Sequence, residues 1–382
     1  MNDRRMVSGG AVRPHPRLSL RAVPGHILGA LERADRGVVV LAVDGLSARA
    51  AAETWTSAET VVLNSTFPST SATAWMTAVT GAAVPGHLVV GAVYRSPAEN
   101  ALVNVITGET IVDVSDGDVL SATPGPGPGD TLRGLPTVFE AAAPRARALV
   151  IGRELDTLTG PWVTALLRGA ERVPDPDTSA LDAEADDPAA LAAAVARDVE
   201  GALAAHREDR PLLLWIYVNL DLHLHRHGYD DRALGALRVL ERHALDWAGR
   251  GWTVLAHSDH GHVRCVRDTA LEDAWARVDI PELCVLPAGG AGRVRWLYPR
   301  EERRDEAAGR LRDALGEHAV VVDAAELPSL GLMDLTPAVR ERIGGVVAIA
   351  ASPRFPLPVP GLAYEHGALT EDETAVPLAT WG

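Results

Sequence analysis

Three unbroken apolar runs constrain this chain more than any other feature. Residues 37–43 read GVVVLAV, residues 212–220 LLLWIYVNL and residues 252–257 WTVLAH. A strand with one wet face alternates apolar and polar residues, and none of these does. Each therefore reads as a strand buried on both faces of a parallel sheet. A helical pattern at residues 20–35 precedes the first run, and others at 188–206 and 232–249 separate the three. Strand and helix in alternation predict an α/β fold, a doubly wound and mostly parallel sheet with helices on both faces.

The remaining segments are read against that plan. Residues 1–16 form an arm, so that the chain divides into an N-terminal arm and helix over 1–35 and one α/β domain over 36–382. An insertion over about 96–133 carries two short strand-like pieces, LVNVITG and TIVDV, and then TPGPGPGD, which the Pro/Gly content assigns to a loop. The acidic stretch 175–187 reads as a surface linker. Toward the C-terminus, strands at 294–298, 319–322 and 345–351 and a helix at 301–315 are expected to continue in the same α/β style.

Composition removes several function classes. With 36 basic against 51 acidic residues, the 382-residue chain has a formal charge of −15, a long-range field that repels nucleic acid and anionic membrane alike. Every basic residue is Arg; without a lysine there is neither Schiff-base chemistry nor a P-loop. Cys265 and Cys284 are too few for a disulfide framework and fit a reducing compartment. No apolar run approaches the roughly 20 residues of a membrane span, and the first residues have no signal-peptide core, so a soluble cytoplasmic protein is expected.

The chemistry lies at the strand exits. The first run passes into Asp44, the second into Asp221-Leu222-His223-Leu224-His225-Arg226-His227, and the third into Asp259-His260-Gly261-His262. Open parallel sheets bind ligands beyond the carboxyl ends of their strands. Three strands thus deliver an aspartate to one edge, two of them with histidines nearby. Carboxylate oxygen with imidazole nitrogen is a divalent-metal donor set, best suited to zinc, with manganese or iron tolerated. Taken singly, each Asp is also a common turn or cap residue and each extra His a common loop residue. Between the first two runs, Ser69-Thr70-Ser71 precedes Ala-rich helical sequence, so one of the three is the natural N-cap. A hydroxyl there sits in a field that favours an alkoxide or a bound phosphate.

With these residues in place, the sequence resembles the alkaline phosphatase superfamily, in particular its nucleotide pyrophosphatase/phosphodiesterase branch and bacterial relatives. The resemblance implies an alkaline-phosphatase-like catalytic domain from Val38 to the C-terminus. It also implies two divalent ions, zinc by preference, one held by Asp221, His225 and His366 and the other by Asp44, Asp259 and His260. Counting back ten positions from Gly81, as the family pattern requires, makes Ser71 the nucleophile, with Thr70 beside it as the fallback. His366 is matched through YEHGALTEDETAVPL. The implied activity is hydrolysis of a small-molecule phosphate ester through a covalent phosphoseryl intermediate, a phosphodiester or nucleotide pyrophosphate being the first choice. A phosphomonoesterase of a biosynthetic intermediate, a phosphonate hydrolase and a phosphomutase are the alternatives the same site allows. The pattern departs from the branch at residues 84–92, where Ala92 stands in place of an Asn that helps hold the phosphoryl oxygen. His223, His227 and His262 exceed the family's set and are read as supporting or surface residues. No Cys-x-Pro-x-Arg points to a sulfatase, and no Gly-x-Gly-x-x-Gly follows the first strand.

Overall fold

The computed structural model describes residues 19–97, 101–111, 123–124, 135–173, 181, 186–207, 209–359 and 361–382. The arm at 1–16 and most of the stretch 175–187 lie outside these. Seven strands make the central sheet: β1 (Gly37–Asp44), β2 (Glu59–Asn64), β3 (Arg147–Ile151), β4 (Glu171–Arg172), β5 (Leu212–Asn219), β6 (Thr253–His257) and β7 (Ala375–Trp381). Their order is β2-β7-β6-β1-β5-β3-β4. From β6 to β4 all neighbours are parallel, while β7 runs antiparallel to both β6 and β2.

Side chains alternate across a strand, and here both faces are dry. Val38, Val40 and Ala42 of β1 join Leu213, Trp215 and Tyr217 of β5 in one core. Val39, Leu41 and Val43 join Leu212, Leu214 and Ile216 in the other. Helices α1 (Val23–Arg33) and α3 (Ser71–Thr80) cover the first face. Helices α2 (Ala48–Thr54), α4 (Pro188–Ala205) and α6 (Asp231–Gly249) cover the second, and a short helix α5 (Asp221–His227) follows β5 directly. The doubly wound, mostly parallel architecture is as expected from the sequence.

The C-terminal strands depart from the expected style. Ala319–Asp323, Val346–Ala350, Val294–Pro299, Cys284–Ala291, Val93–Ser96, Ala101–Asn104, Glu109–Ile111 and Thr123–Pro124 form, in that order, a second sheet. Every pairing in it is antiparallel. Gly292, at φ +50°, closes the hairpin between Cys284–Ala291 and Val294–Pro299. A turn that short ties antiparallel neighbours, because parallel ones need a crossover. Thr123–Pro124 was expected in a loop but pairs with Glu109 and Thr110 at the sheet's edge, where a missing N–H is tolerated. The rest of that Pro/Gly segment is outside the described residues.

β1 is flanked by β5 on one side and β6 on the other. The carboxyl ends of these three adjacent parallel strands therefore share one edge, the edge beyond which open sheets bind ligands. Register aligns Asp44 with Asn219 and Ala42 with His257, so the three exits emerge side by side.

Candidate metal centre and nucleophile

Asp221 is the first residue of α5 and His225 lies one turn later. The i, i+4 spacing puts both on one face, with His225 Nε2 3.2 Å from Asp221 Oδ2. A two-residue ribbon, Val263–Arg264 against Tyr364–Glu365, packs on this helix. His225 Nδ1 is bonded to the Tyr364 carbonyl at 2.9 Å. The ribbon also delivers His366, whose Nε2 is 3.9 Å from Asp221 Oδ1 and whose Nδ1 meets the Ser69 carbonyl at 2.8 Å. His262 completes the group, its Nε2 2.9 Å from Asp221 Oδ1 and its Nδ1 3.4 Å from the Gly45 carbonyl. One donor atom from each of Asp221, His225, His262 and His366 lies within 4.8 Å of all the others.

Asp44, Asp259 and His260 form a second group on the same criterion. Asp44 Oδ2 accepts from Trp75 Nε1 at 3.1 Å and from the Tyr217 hydroxyl, which fixes the carboxylate and leaves Oδ1 3.6 Å from His260 Nε2. Asp259 Oδ1 accepts from Gly45 N at 3.1 Å, leaving Oδ2 3.2 Å from His260 Nε2. The His260 Nδ1 faces the Gly261 carbonyl at 3.3 Å. In all four histidines a backbone carbonyl faces Nδ1, which therefore carries a proton, and Nε2 is the ring nitrogen turned toward the carboxylates, the arrangement that orients imidazole ligands in metal sites.

Ser71 opens α3, and Thr70 is its N-cap residue. The Thr70 carbonyl accepts from Thr73 N and Ala74 N at 3.0 and 2.9 Å. The Ser71 hydroxyl lies 3.0 Å from His260 Nε2, at the positive end of the helix and beside the second group. Every residue that the resemblance nominated is thus gathered at one sheet edge.

The donor atoms fit a cation. Asp44 Oδ1, Asp221 Oδ1, Asp259 Oδ2 and His262 Nε2 are all buried without a hydrogen-bond partner. Leaving such atoms unsatisfied is costly. Burial, reinforced by the charge of Asp221, pushes the Asp44 carboxyl up to about 7. Burial and Asp44 hold that of Asp259 well above the usual range. Burial drives His260 down to about 3, and burial with the neighbouring His260 holds His366 low. Burial also works against charge on Asp221, yet His225 and His262 keep its carboxyl well below the usual range. A divalent ion in each group would offset the carboxylate repulsion and find the imidazoles of His260 and His366 already neutral.

Sequence reasoning did not select His262, Tyr217, Trp75 or Glu365. Glu365 is a buried carboxylate whose Oε1 accepts from His366 N at 3.0 Å and lies 3.3 Å from His366 Nε2. His223 and His227 point away from both groups. The first bonds Asp230 Oδ1 at 3.0 Å, and the two rings contact each other at 4.7 Å. At position 92 the Ala offers no polar side chain, and its carbonyl accepts from Val105 N.

Residues 38–355 match the type I phosphodiesterase / nucleotide pyrophosphatase family. Among solved structures, phosphonoacetate hydrolase from Sinorhizobium meliloti 1021 in complex with phosphonoformate is similar, with 16% identity and a TM-score of 0.60 over 91% of this chain and 90% of that one. Murine ectonucleotide pyrophosphatase / phosphodiesterase 5 has 16% identity and a TM-score of 0.57 over 90% and 88%. An inactive form of that murine protein in complex with AMP matches at the same identity and TM-score, over 90% and 87%. No match was found among curated proteins.

Proposed function

Because the chain belongs to the type I phosphodiesterase / nucleotide pyrophosphatase family, and so is a phosphoric ester hydrolase, we propose that Ser71 is its nucleophile and that a small phosphodiester or nucleotide pyrophosphate is its substrate. The observation that carries this reading is the Ser71 hydroxyl at a helix N-terminus, 3.0 Å from His260 Nε2. Asp221, His225 and His366 would hold one divalent ion and Asp44, Asp259 and His260 the other. Such a pair supplies charge stabilisation and nucleophile activation for in-line displacement.

The chain's own residues do the rest. The α3 N-terminus favours the Ser71 alkoxide and the incoming phosphoryl group. Attack forms the Ser71 Oγ–P bond as the P–O bond to the leaving group breaks, and the proton given up by Ser71 ends on the leaving-group oxygen. Water then attacks the same phosphorus, the Oγ–P bond breaks, and Ser71 recovers a proton from that water. Trp75 and Tyr217 keep Asp44 aimed, and the four carbonyls keep each imidazole in one tautomer. Among the described residues no helix is long and apolar enough to cross a membrane.

The test is a metal-reconstituted assay of the parent and Ser71→Ala with bis-p-nitrophenyl phosphate, p-nitrophenyl phosphate and a phosphonate side by side. Loss of the nucleophile is expected to lower turnover by roughly 10³-fold or more. A diester preference is expected, together with a phosphate adduct on Ser71 in quenched samples. Equal rates in parent and mutant, or activity that survives chelation, would overturn the scheme.

A further inference from the structure

Asn219 ends β5 and is the one residue of that strand that is not buried. It points to the same face of the sheet as Tyr217, two positions earlier, and α3 covers that face. Trp75 of α3 meets Trp215 and Tyr217 of β5 at ring-centroid distances of 6.0 and 5.9 Å. Both Trp75 and Tyr217 donate to Asp44 Oδ2. One turn from Trp75 toward the helix N-terminus, on the same side of α3, stands Ser71. That turn rises about 5.4 Å, and the two residues from Tyr217 to Asn219 rise about 7 Å. Ser71 and Asn219 therefore face each other one level above the Trp75–Tyr217 contact, on either side of Asp44. Strand register agrees, since Asn219 is the partner of Asp44 across the β1–β5 ladder. From the β6 side, the Ser71 hydroxyl and Asp44 Oδ1 lie 3.0 and 3.6 Å from His260 Nε2.

A purely structural account of Asn219 fails. An Asn leaving a strand commonly caps the helix that follows. Here Leu220 is the N-cap residue of α5, and no side chain caps that helix. Among the described residues no hydrogen bond engages the Asn219 side-chain amide. The amide is thus a donor on the open side of the site with nothing in the fold to hold. Its neutrality suits the place. A cationic side chain beside Asp44 would pair with that carboxylate and compete with the ion, whereas an amide does neither.

We propose that Asn219 Nδ2 donates to a non-bridging phosphoryl oxygen as Ser71 attacks, and holds it most tightly when phosphorus is five-coordinate. The inference rests on Ser71 being the nucleophile. The ions take charge on the attacking and leaving oxygens, and the α3 N-terminus favours one equatorial oxygen from its side. Asn219 takes another from the β5 side, where charge builds in a preorganised, partly dry crevice.

The metal-reconstituted parent, Asn219→Ala, Asn219→Asp and Ser71→Ala are compared on bis-p-nitrophenyl phosphate, with zinc content measured for each. Orthovanadate, which mimics five-coordinate phosphorus, and inorganic phosphate are titrated as inhibitors. Asn219→Ala is expected to lower kcat by roughly 10²-fold or more with KM little changed. The loss then falls equally on kcat and kcat/KM, as for a contact made only in the transition state. Orthovanadate inhibition should weaken by a similar factor and phosphate inhibition much less, with zinc content at the parent level. Asn219→Asp keeps the volume but loses the donor, and its kcat should fall at least as far. Parent-like turnover or vanadate inhibition in either variant overturns the proposal. So does loss of zinc from Asn219→Ala, which would make the amide a support of the metal groups. Failure of the underlying reading looks different: Ser71→Ala would then turn over as fast as the parent, whatever the outcome at position 219.

Discussion

Gly45 lies at φ +83°, a backbone conformation that side chains resist, and its N–H holds Asp259 while its carbonyl holds His262. Gly45→Ala therefore strains the turn and pushes a methyl group into the His262 ring. The expected result is a roughly 10–100-fold loss of metal affinity with the fold retained, read by zinc content after dialysis against a competing chelator. Tyr217→Phe removes one of two donors to Asp44 Oδ2 without changing volume. Turnover is expected to fall by roughly tenfold or more, and unchanged kinetics would remove Tyr217 from the site. Asp44, Asp221 and Asp259 were legible because each follows a strand that can only be buried. Tyr217 was not, since a tyrosine inside an apolar strand looks like core until the neighbouring strand's exit is known. His262 was visible as an extra histidine, but its role depends on the ribbon that sets it opposite His366, and nothing local announces that pairing.

The loop carrying His366 is tied to the second sheet through a buried ion pair. Glu373 Oε1 accepts from Arg293 Nε and from Ala368 N, both at 2.9 Å, while Arg293 N donates to the His366 carbonyl at 2.8 Å. Both side chains are almost fully buried. Glu373→Gln leaves the guanidinium without its counter-charge, at a cost of about 3–5 kcal/mol. Urea denaturation should show a correspondingly lower midpoint with an unchanged slope, and a midpoint near the parent value would mean that solvent reaches Arg293. The same change should loosen His366 and with it the first donor group. At this scale the reading from sequence was uneven. The parallel core and its helices were legible from periodicity, because β1, β5 and β6 are apolar on both faces. Antiparallel partners such as Val93–Ser96 and Cys284–Ala291 are separated by nearly half the chain, and short strands carry no signal of which distant strand they will meet. The alternation of His223, His225 and His227 in sequence suits a solvated loop as well as a helix; the α5 turn is what separates Asp221 and His225 from His223 and His227.

Taken as a whole, a chain of net charge −15 gathers Asp44, Asp221, Asp259 and Glu365 at one sheet edge, all but Asp221 buried, and its stability without metal must depend on pH. Burial raises Asp44 to about 7 in the folded state from an ordinary 3.8, so the folded chain binds the extra proton in between, and stability falls as pH rises through that window. Asp259, also held high by burial, acts in the same sense. His225 is opposed by burial but raised by Asp221 to about 10 from 6.5, and the stability of that contact is lost as pH climbs through the folded value. Between about 3 and 6.5 the trend is opposed. His260, lowered to about 3 by burial, must charge on unfolding, so its contribution rises with pH and is complete above 6.5. Above about 6.5 the carboxylate and His225 contributions therefore act without that opposition. The chelated protein is expected to lose thermal stability steadily from pH 6.5 to pH 9. With zinc added, the carboxylates gain a partner that favours their charged forms, and ligand deprotonation makes metal binding stronger as pH rises. The midpoint should then hold or increase over the same range. Parallel melting curves in chelator and in zinc decide the matter: two curves with the same slope against pH would mean that these buried acids do not meet a cation.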